Sequence, residues 1–141
     1  MITYKTDPNF YLFLDDERSP NKVFWIDLPK NVPWVIVRNY KQFKQAIETR
    51  GIPAFVTFDH DLADEHYSMT SDEVNSSSYE EVVGTYQEKT GYDCLKWLVG
   101  KVLAPIGAPF PDYALHTMNS IGKDNMEKYI NTYKRYLLSG K

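Results

Sequence analysis

The stretch "PAFVTFDHDLADEH", residues 53–66, places Asp59, His60, Asp61, Asp64, Glu65 and His66 directly after an uncharged apolar run, Ala54 to Phe58. Three other apolar runs end in similar chemistry. Tyr11 to Leu14 is followed by Asp15, Asp16, Glu17 and Arg18; Trp34 to Val37 by Arg38 and Asn39; and the run that starts at Tyr113 delivers His116, Thr117 and Asn119. Carboxylates brought together from two chain segments repel one another, and a divalent cation with oxygen ligands relieves that repulsion. Asp15, Asp16 and Asp59 are therefore candidate ligands for Mg²⁺ or Mn²⁺, and the lack of a cysteine or multi-histidine cluster argues against structural zinc. Arg18 and Arg38 offer planar donors suited to phosphate, and Asn119 is a candidate phosphate ligand at the same edge. His60 and His116 are candidate proton carriers near neutral pH, with Asp61 placed to orient a histidine. Metal, arginines and histidines together point to phosphoryl or phosphodiester chemistry.

Elements must bring these groups together. The four apolar runs, Tyr11–Leu14, Trp34–Val37, Ala54–Phe58 and Tyr113–Thr117, are continuous rather than alternating, which predicts parallel strands covered on both faces. Three helical patterns accompany them. One spans about Tyr40 to Arg50, with Asn39 as N-cap, Gln42 three residues on, a stripe of Phe43, Ala46 and Ile47, and Gly51 to end it. A second opens at "TGYD", where Thr90 and Asp93 have capping-box spacing and Leu95, Leu98, Val99, Val102 and Leu103 share a face. The third runs from about Lys123 to Leu138 with Met126, Tyr129, Ile130, Tyr133 and Leu137 on one side. Strands alternating with helices give an α/β layered domain with a mostly parallel four-stranded sheet, and in such sheets ligands bind at the carboxyl ends of the strands. All four strands then deliver polar groups to one edge.

Two segments interrupt the alternation. Residues 19–33 contain Pro20, Pro29 and Pro33, so no full crossover helix is expected there, and Phe24, Trp25 and Ile26 are candidates to cover the sheet in its place. Residues 63–89 are polar, serine-rich and acidic, as in an inserted loop or lid. At 141 residues with 43% hydrophobic composition the chain is expected to form a single domain, 1–141. A net charge of -3 provides no basic field to hold duplex DNA, so a nucleic acid partner would have to be gripped locally. The single cysteine, Cys94, is placed on the apolar face of a helix; it excludes an internal disulfide and suits a reducing cytoplasm. No run of 18 apolar residues and no signal-peptide pattern is present, so no membrane partner is expected.

At "YLFLDDERSP", "VIVRNY", "FVTFDHDL", "TGYDCLKWL" and "LHTMNSIGKDNM" the sequence resembles the cyclic-phosphate processing receiver-like family. The resemblance implies a receiver-like, degenerate flavodoxin-like fold with its first crossover helix lost, and a role on cyclic phosphate ends of RNA or on cyclic nucleotides. The matching positions are Asp15, Asp16, Arg18, Arg38, Asp59, His60, Asp61, His116, Asn119 and Gly122, with Ser120 standing where many relatives have proline.

The favoured reading is a metal-dependent phosphoesterase acting on cyclic phosphates. It expects a phosphate-containing small molecule or RNA end as partner, with Asp59, His60, Asp61 and His116 catalytic. Two rivals share the cleft. In a signalling receiver Asp59 would be the phosphoacceptor, Asp15 and Asp16 the metal site and Thr117 the switch hydroxyl. A non-catalytic protein would instead retain a cyclic nucleotide unaltered.

Overall fold

The structure is a computed structural model and describes residues 4–62 and 89–139. Its elements are β1 (Thr6–Leu14), β2 (Trp34–Val37), α1 (Tyr40–Arg50), β3 (Ile52–Phe58), α2 (Gly91–Trp97), β4 (Asp112–Leu115) and α3 (Ser120–Ser139). Between β1 and β2 there is only a 3-10 turn, Pro20–Lys22, and α2 continues through a π-helical stretch, Leu98–Leu103, into a 3-10 turn, Ala104–Ile106. The sheet order is β2-β1-β3-β4, with every neighbouring pair parallel. This is the expected α/β receiver-like fold, with a four-stranded parallel sheet and three α-helices among the described residues. The expected insertion, 63–89, lies outside the described residues apart from Lys89.

Local sequence sets the helix limits. Asn39 caps α1 by accepting from the Gln42 N–H, and the chain leaves the helix at Gly51 with φ of 100°, a backbone conformation that glycine adopts without steric cost. Thr90 and Asp93 form a reciprocal capping box at the start of α2. Helix α3 begins three residues before the expected Lys123, because the Asn119 side chain accepts from the Gly122 N–H at 2.9 Å and caps the helix there.

The two faces of the sheet differ. Leu12, Leu14, Val37, Val56, Phe58 and Leu115 join Phe43 and Ile47 of α1, Leu95 and Leu98 from α2 onward, and Met126, Ile130 and Tyr133 of α3 in one apolar core. Fully burying such a side chain contributes roughly 1.5–3 kcal/mol. Cys94 is buried in this core as a free thiol. The alternate residues Tyr11, Phe13, Trp34, Ile36, Phe55 and Thr57 face the other way. Trp34 meets Tyr11, Phe13 and Phe55 edge-on, each at 5.9 Å between ring centroids.

Among the described residues no helix covers this second face, contrary to the expectation of strands covered on both sides. The reason is topological. The step from β1 to β2 crosses the sheet in the opposite sense to the later steps, so a right-handed connection places its covering element on the opposite face. That connection is the proline-interrupted segment. Phe24, expected to cover the sheet, is 86% exposed, whereas Val23 is buried and Trp25 is half-buried against the edge.

Candidate active site

The residues just past the strand ends continue the ladder by one rung. The Asp15 N–H donates to Val37 O at 3.1 Å, the Asp59 N–H to Leu14 O at 2.9 Å and the His116 N–H to Phe58 O at 3.1 Å. Strand register therefore fixes the backbones of Asp15, Asp59 and His116 in one row across β1, β3 and β4. Pleat alternation turns their side chains to the face of Phe13 and Thr57. Sub-ångström placement of this kind comes from the sheet rather than from a loop.

All three side chains are buried: Asp15 and His116 completely, and Asp59 to within 2%. One ligand atom from each lies within 4.8 Å of the others. Asp15 Oδ1 accepts the N–H groups of Glu17 at 2.9 Å and Arg18 at 2.8 Å, which closes the turn after β1. Asp15 Oδ2 meets His116 Nε2 at 3.0 Å, and His116 Nδ1 meets Thr57 Oγ1 at 2.8 Å. Phe13 stacks on the imidazole at 4.6 Å with 10° between planes. Both ring nitrogens of His116 and one ring face are thus fixed by named groups.

Asp59 is the electrostatic anomaly. Its Oδ1 accepts the His60 N–H at 2.8 Å, but Oδ2 is the buried side-chain polar atom that has no hydrogen-bond partner among the described residues. Burial first, then the charge of Asp15, pushes the Asp59 carboxyl up to about 8; the Thr117 hydroxyl draws it down in part, although it makes no well-formed hydrogen bond to Oδ2. Asp61 and Asp16 add smaller upward contributions. Asp15 goes the other way. Burial raises it, but the hydrogen bonds from His116 and from the Arg18 and Glu17 N–H groups prevail and hold it below the ordinary carboxylate range. Two neighbouring carboxyls with opposite displacements mark a site prepared for a positive charge or a proton.

A second group lies on the other side of β3. His60 is completely buried, its Nδ1 2.9 Å from Asp61 Oδ1. Asn119 Nδ2 donates to both Asp61 oxygens, at 3.0 and 3.4 Å, while Asn119 Oδ1 caps α3. Two glycines permit this packing. A Cβ on Gly122 would stand 2.4 Å from the His60 ring, and one on Gly91 would stand 1.8 Å from Asp59 O.

Arg18 lies over the Trp25 ring at 5.2 Å, with Nη1 3.8 Å from Asp15 Oδ2. Arg38 Nη1 donates to Asp15 O at 3.1 Å and to Arg18 O at 2.5 Å, so this arginine ties the β1 turn to β2.

Of the residues read from sequence, Asp15, Asp59 and His116 meet in one cluster, and His60, Asp61 and Asn119 meet in the adjoining network. Asp16 is outside the three-residue cluster, whose third member is His116. Asp64, Glu65 and His66 fall outside the described residues. Sequence reasoning missed Thr57 and Trp25. Thr57 is the one polar residue inside β3, which could have flagged it; the Trp25 indole N–H donates to His116 O at 2.8 Å, a contact across 91 positions with no local signal.

The model of the cyclic-phosphate processing receiver domain matches residues 10–132. The chain belongs to that family. The match spans β1 through most of α3 and includes every residue of the cluster and of the adjoining network. Comparison with curated proteins and with solved structures finds no significant match. The family description names cyclic phosphate, and the buried Asp15–Asp59–His116 cluster is a set of residues that could hold a metal ion. Among the described residues no helix is long and apolar enough to cross a membrane.

Proposed function

We propose that this protein is a metal-dependent phosphoesterase that opens cyclic phosphates, either 2',3'-cyclic phosphate ends of RNA or cyclic nucleotides. The observation that carries the reading is Asp59 Oδ2, buried, without a hydrogen-bond partner among the described residues and next to a second carboxylate. An unpaired buried carboxylate costs several kcal/mol, a cost that the fold tolerates where a cation completes it. The donor set fits. Asp15 and Asp59 are oxygen ligands suited to Mg²⁺ or Mn²⁺. The cation, when bound, would polarise a phosphate oxygen and lower the pKa of water.

The chain's own residues supply the rest. Asp15 Oδ2 meets His116 Nε2 at 3.0 Å, which keeps the imidazole beside the carboxylates that would hold the cation. Arg18, whose guanidinium is only partly covered, neutralises phosphate oxygens, and Arg38 positions Arg18 through its carbonyl. Asp61 Oδ1 meets His60 Nδ1 at 2.9 Å and orients the ring. His60 and His116 are the proton carriers: one takes the proton of the attacking water as the new P–O bond forms, and the other protonates the ribose oxygen as the ring P–O bond breaks. Asn119 holds Asp61 in place.

The Thr117 hydroxyl beside Asp59 favours one alternative, a signalling receiver phosphorylated on Asp59. Calorimetry on chelator-stripped protein tests the metal site. Mn²⁺ should bind wild type and fail to bind Asp59→Ala, and absence of Mn²⁺ and Mg²⁺ binding to wild type would remove the metal mechanism. A stable phosphoryl group on Asp59 after incubation with acetyl phosphate and Mg²⁺ would favour the receiver.

A further inference from the structure

A cavity of about 670 Å³ opens in the segment that replaces the first crossover helix. Its apolar lining includes Val23, Phe24, Ile26 and Trp34, and the amides of Asn21 and Asn31 are set among them. The size is that of a small-molecule site, and its lining is about evenly divided between apolar and polar surface. Phe24 is the anomaly here. It is 86% exposed, yet its ring is held edge-on against Trp25 at 5.2 Å. An exposed, oriented aromatic ring beside a phosphate site is a surface on which a planar group can stack.

The cavity connects to the cluster through packed rings. Trp34 lines the cavity and meets Phe13 edge-on, and Phe13 stacks on His116, so two rings stand between the cavity and the imidazole. Trp25 bridges them a second time. Its indole N–H holds His116 O, its face carries Arg18, and its edge supports Phe24. The charges at the rim, Asp27 and Lys30, are of opposite sign, so the cavity offers no field for a second phosphate. A neutral, planar, partly polar occupant fits these walls.

We infer that this cavity is a nucleobase subsite: the base of the nucleotide whose cyclic phosphate lies at Arg18 and the Asp15–Asp59–His116 cluster stacks on Phe24, with the Asn21 and Asn31 amides at its polar edge. The inference rests on the phosphoesterase reading and deepens it, because it selects nucleotides over simpler cyclic phosphodiesters. Amides reach the donor and acceptor edges of bases, while aromatic stacking tolerates any base. Specificity for a base class therefore falls to Asn21 and Asn31, and affinity to Phe24.

Two probes separate the base from the phosphate: adenosine 2',3'-cyclic phosphate and glycerol 1,2-cyclic phosphate, which has the same five-membered ring without a base. Each is titrated into wild type and Phe24→Ala in the presence of Mn²⁺, with turnover followed in parallel. The Phe24 side chain is largely in solvent, so the variant should keep its fold, and a melting curve checks this. Phe24→Ala should weaken the nucleotide about tenfold, seen as a raised KM with kcat retained, and leave the glycerol compound unchanged. Equal behaviour of both proteins toward the nucleotide would overturn the subsite while the phosphoesterase reading stands, provided the glycerol compound still binds or reacts. Equal loss toward both compounds would also overturn it, since Phe24 would then act on the phosphate. If neither compound binds or reacts with wild type, the phosphoesterase reading fails and the subsite fails with it.

Discussion

Replacing Asp59 by asparagine should make the metal-free protein more stable, and the size of the gain should depend on pH. The Asp59 carboxyl is pushed from its usual 3.8 up to about 8, first by burial and then by Asp15. A carboxyl whose pKa is higher in the folded chain than in the unfolded one contributes stability that is complete below the unfolded pKa. That contribution is lost as pH rises through the folded value. At 1.36 kcal/mol per pKa unit, the rise corresponds to roughly 6 kcal/mol by the time pH exceeds about 8. Structural relaxation reduces such a figure, so a gain on the order of 2–4 kcal/mol is expected for Asp59→Asn at pH 8.5. The gain should shrink toward zero as pH falls to about 4. Urea unfolding of both proteins across this range in the presence of a chelator reads the difference directly. Adding Mn²⁺ should then stabilise wild type and leave the variant unmoved. A variant that is less stable at pH 8.5, or a difference independent of pH, would refute the claim that Asp59 is held under electrostatic strain.

Two further perturbations follow from the same geometry. His60→Ala or His116→Ala should each lower turnover of a cyclic nucleotide by about 10² to 10⁴ in steady-state kinetics; full activity in the double variant would remove the proton-carrier assignment. Gly122→Ala places a methyl 2.4 Å from the His60 ring and must move it. Chemical denaturation should show a loss of about 1–3 kcal/mol despite alanine's better helix propensity, and kcat should fall more than KM rises.

Most of the fold could be read from sequence because local signals agreed with global demands. The caps at Asn39 and Thr90 fixed the starts of α1 and α2, and the apolar runs identified all four strands. Strand ends were less legible. β1 starts at Thr6 rather than Tyr11, because Pro8 and polar neighbours hide an irregular pairing that the register shift between Asp7 and Tyr11 reveals. β4 stops at Leu115, yet the His116 N–H still bonds to Phe58 O, so apolar pattern and backbone pairing disagree by a residue or two there. The convergence of Asp15, Asp59 and His116 was legible as strand-end chemistry, since parallel strands deliver their carboxyl ends to one edge. Individual partnerships were not. That His116 sits on Asp15, Thr57 and Trp25, and that Asn119 serves Asp61 and α3, depends on rotamers and on a crossover whose course three prolines obscure.

Metal-dependent turnover at the proposed Asp15–Asp59 site beside His116 is observed most directly by phosphorus NMR. Chelator-stripped protein is mixed with adenosine 2',3'-cyclic phosphate, Mn²⁺ is then added, and samples are freed of the paramagnetic ion on chelating resin before each spectrum. The cyclic phosphodiester resonance should persist before the addition and convert afterwards to a single phosphomonoester, and Asp59→Ala should leave it intact under both conditions. An unchanged cyclic resonance with wild type and Mn²⁺, or the same conversion rate in Asp59→Ala, would contradict the claim.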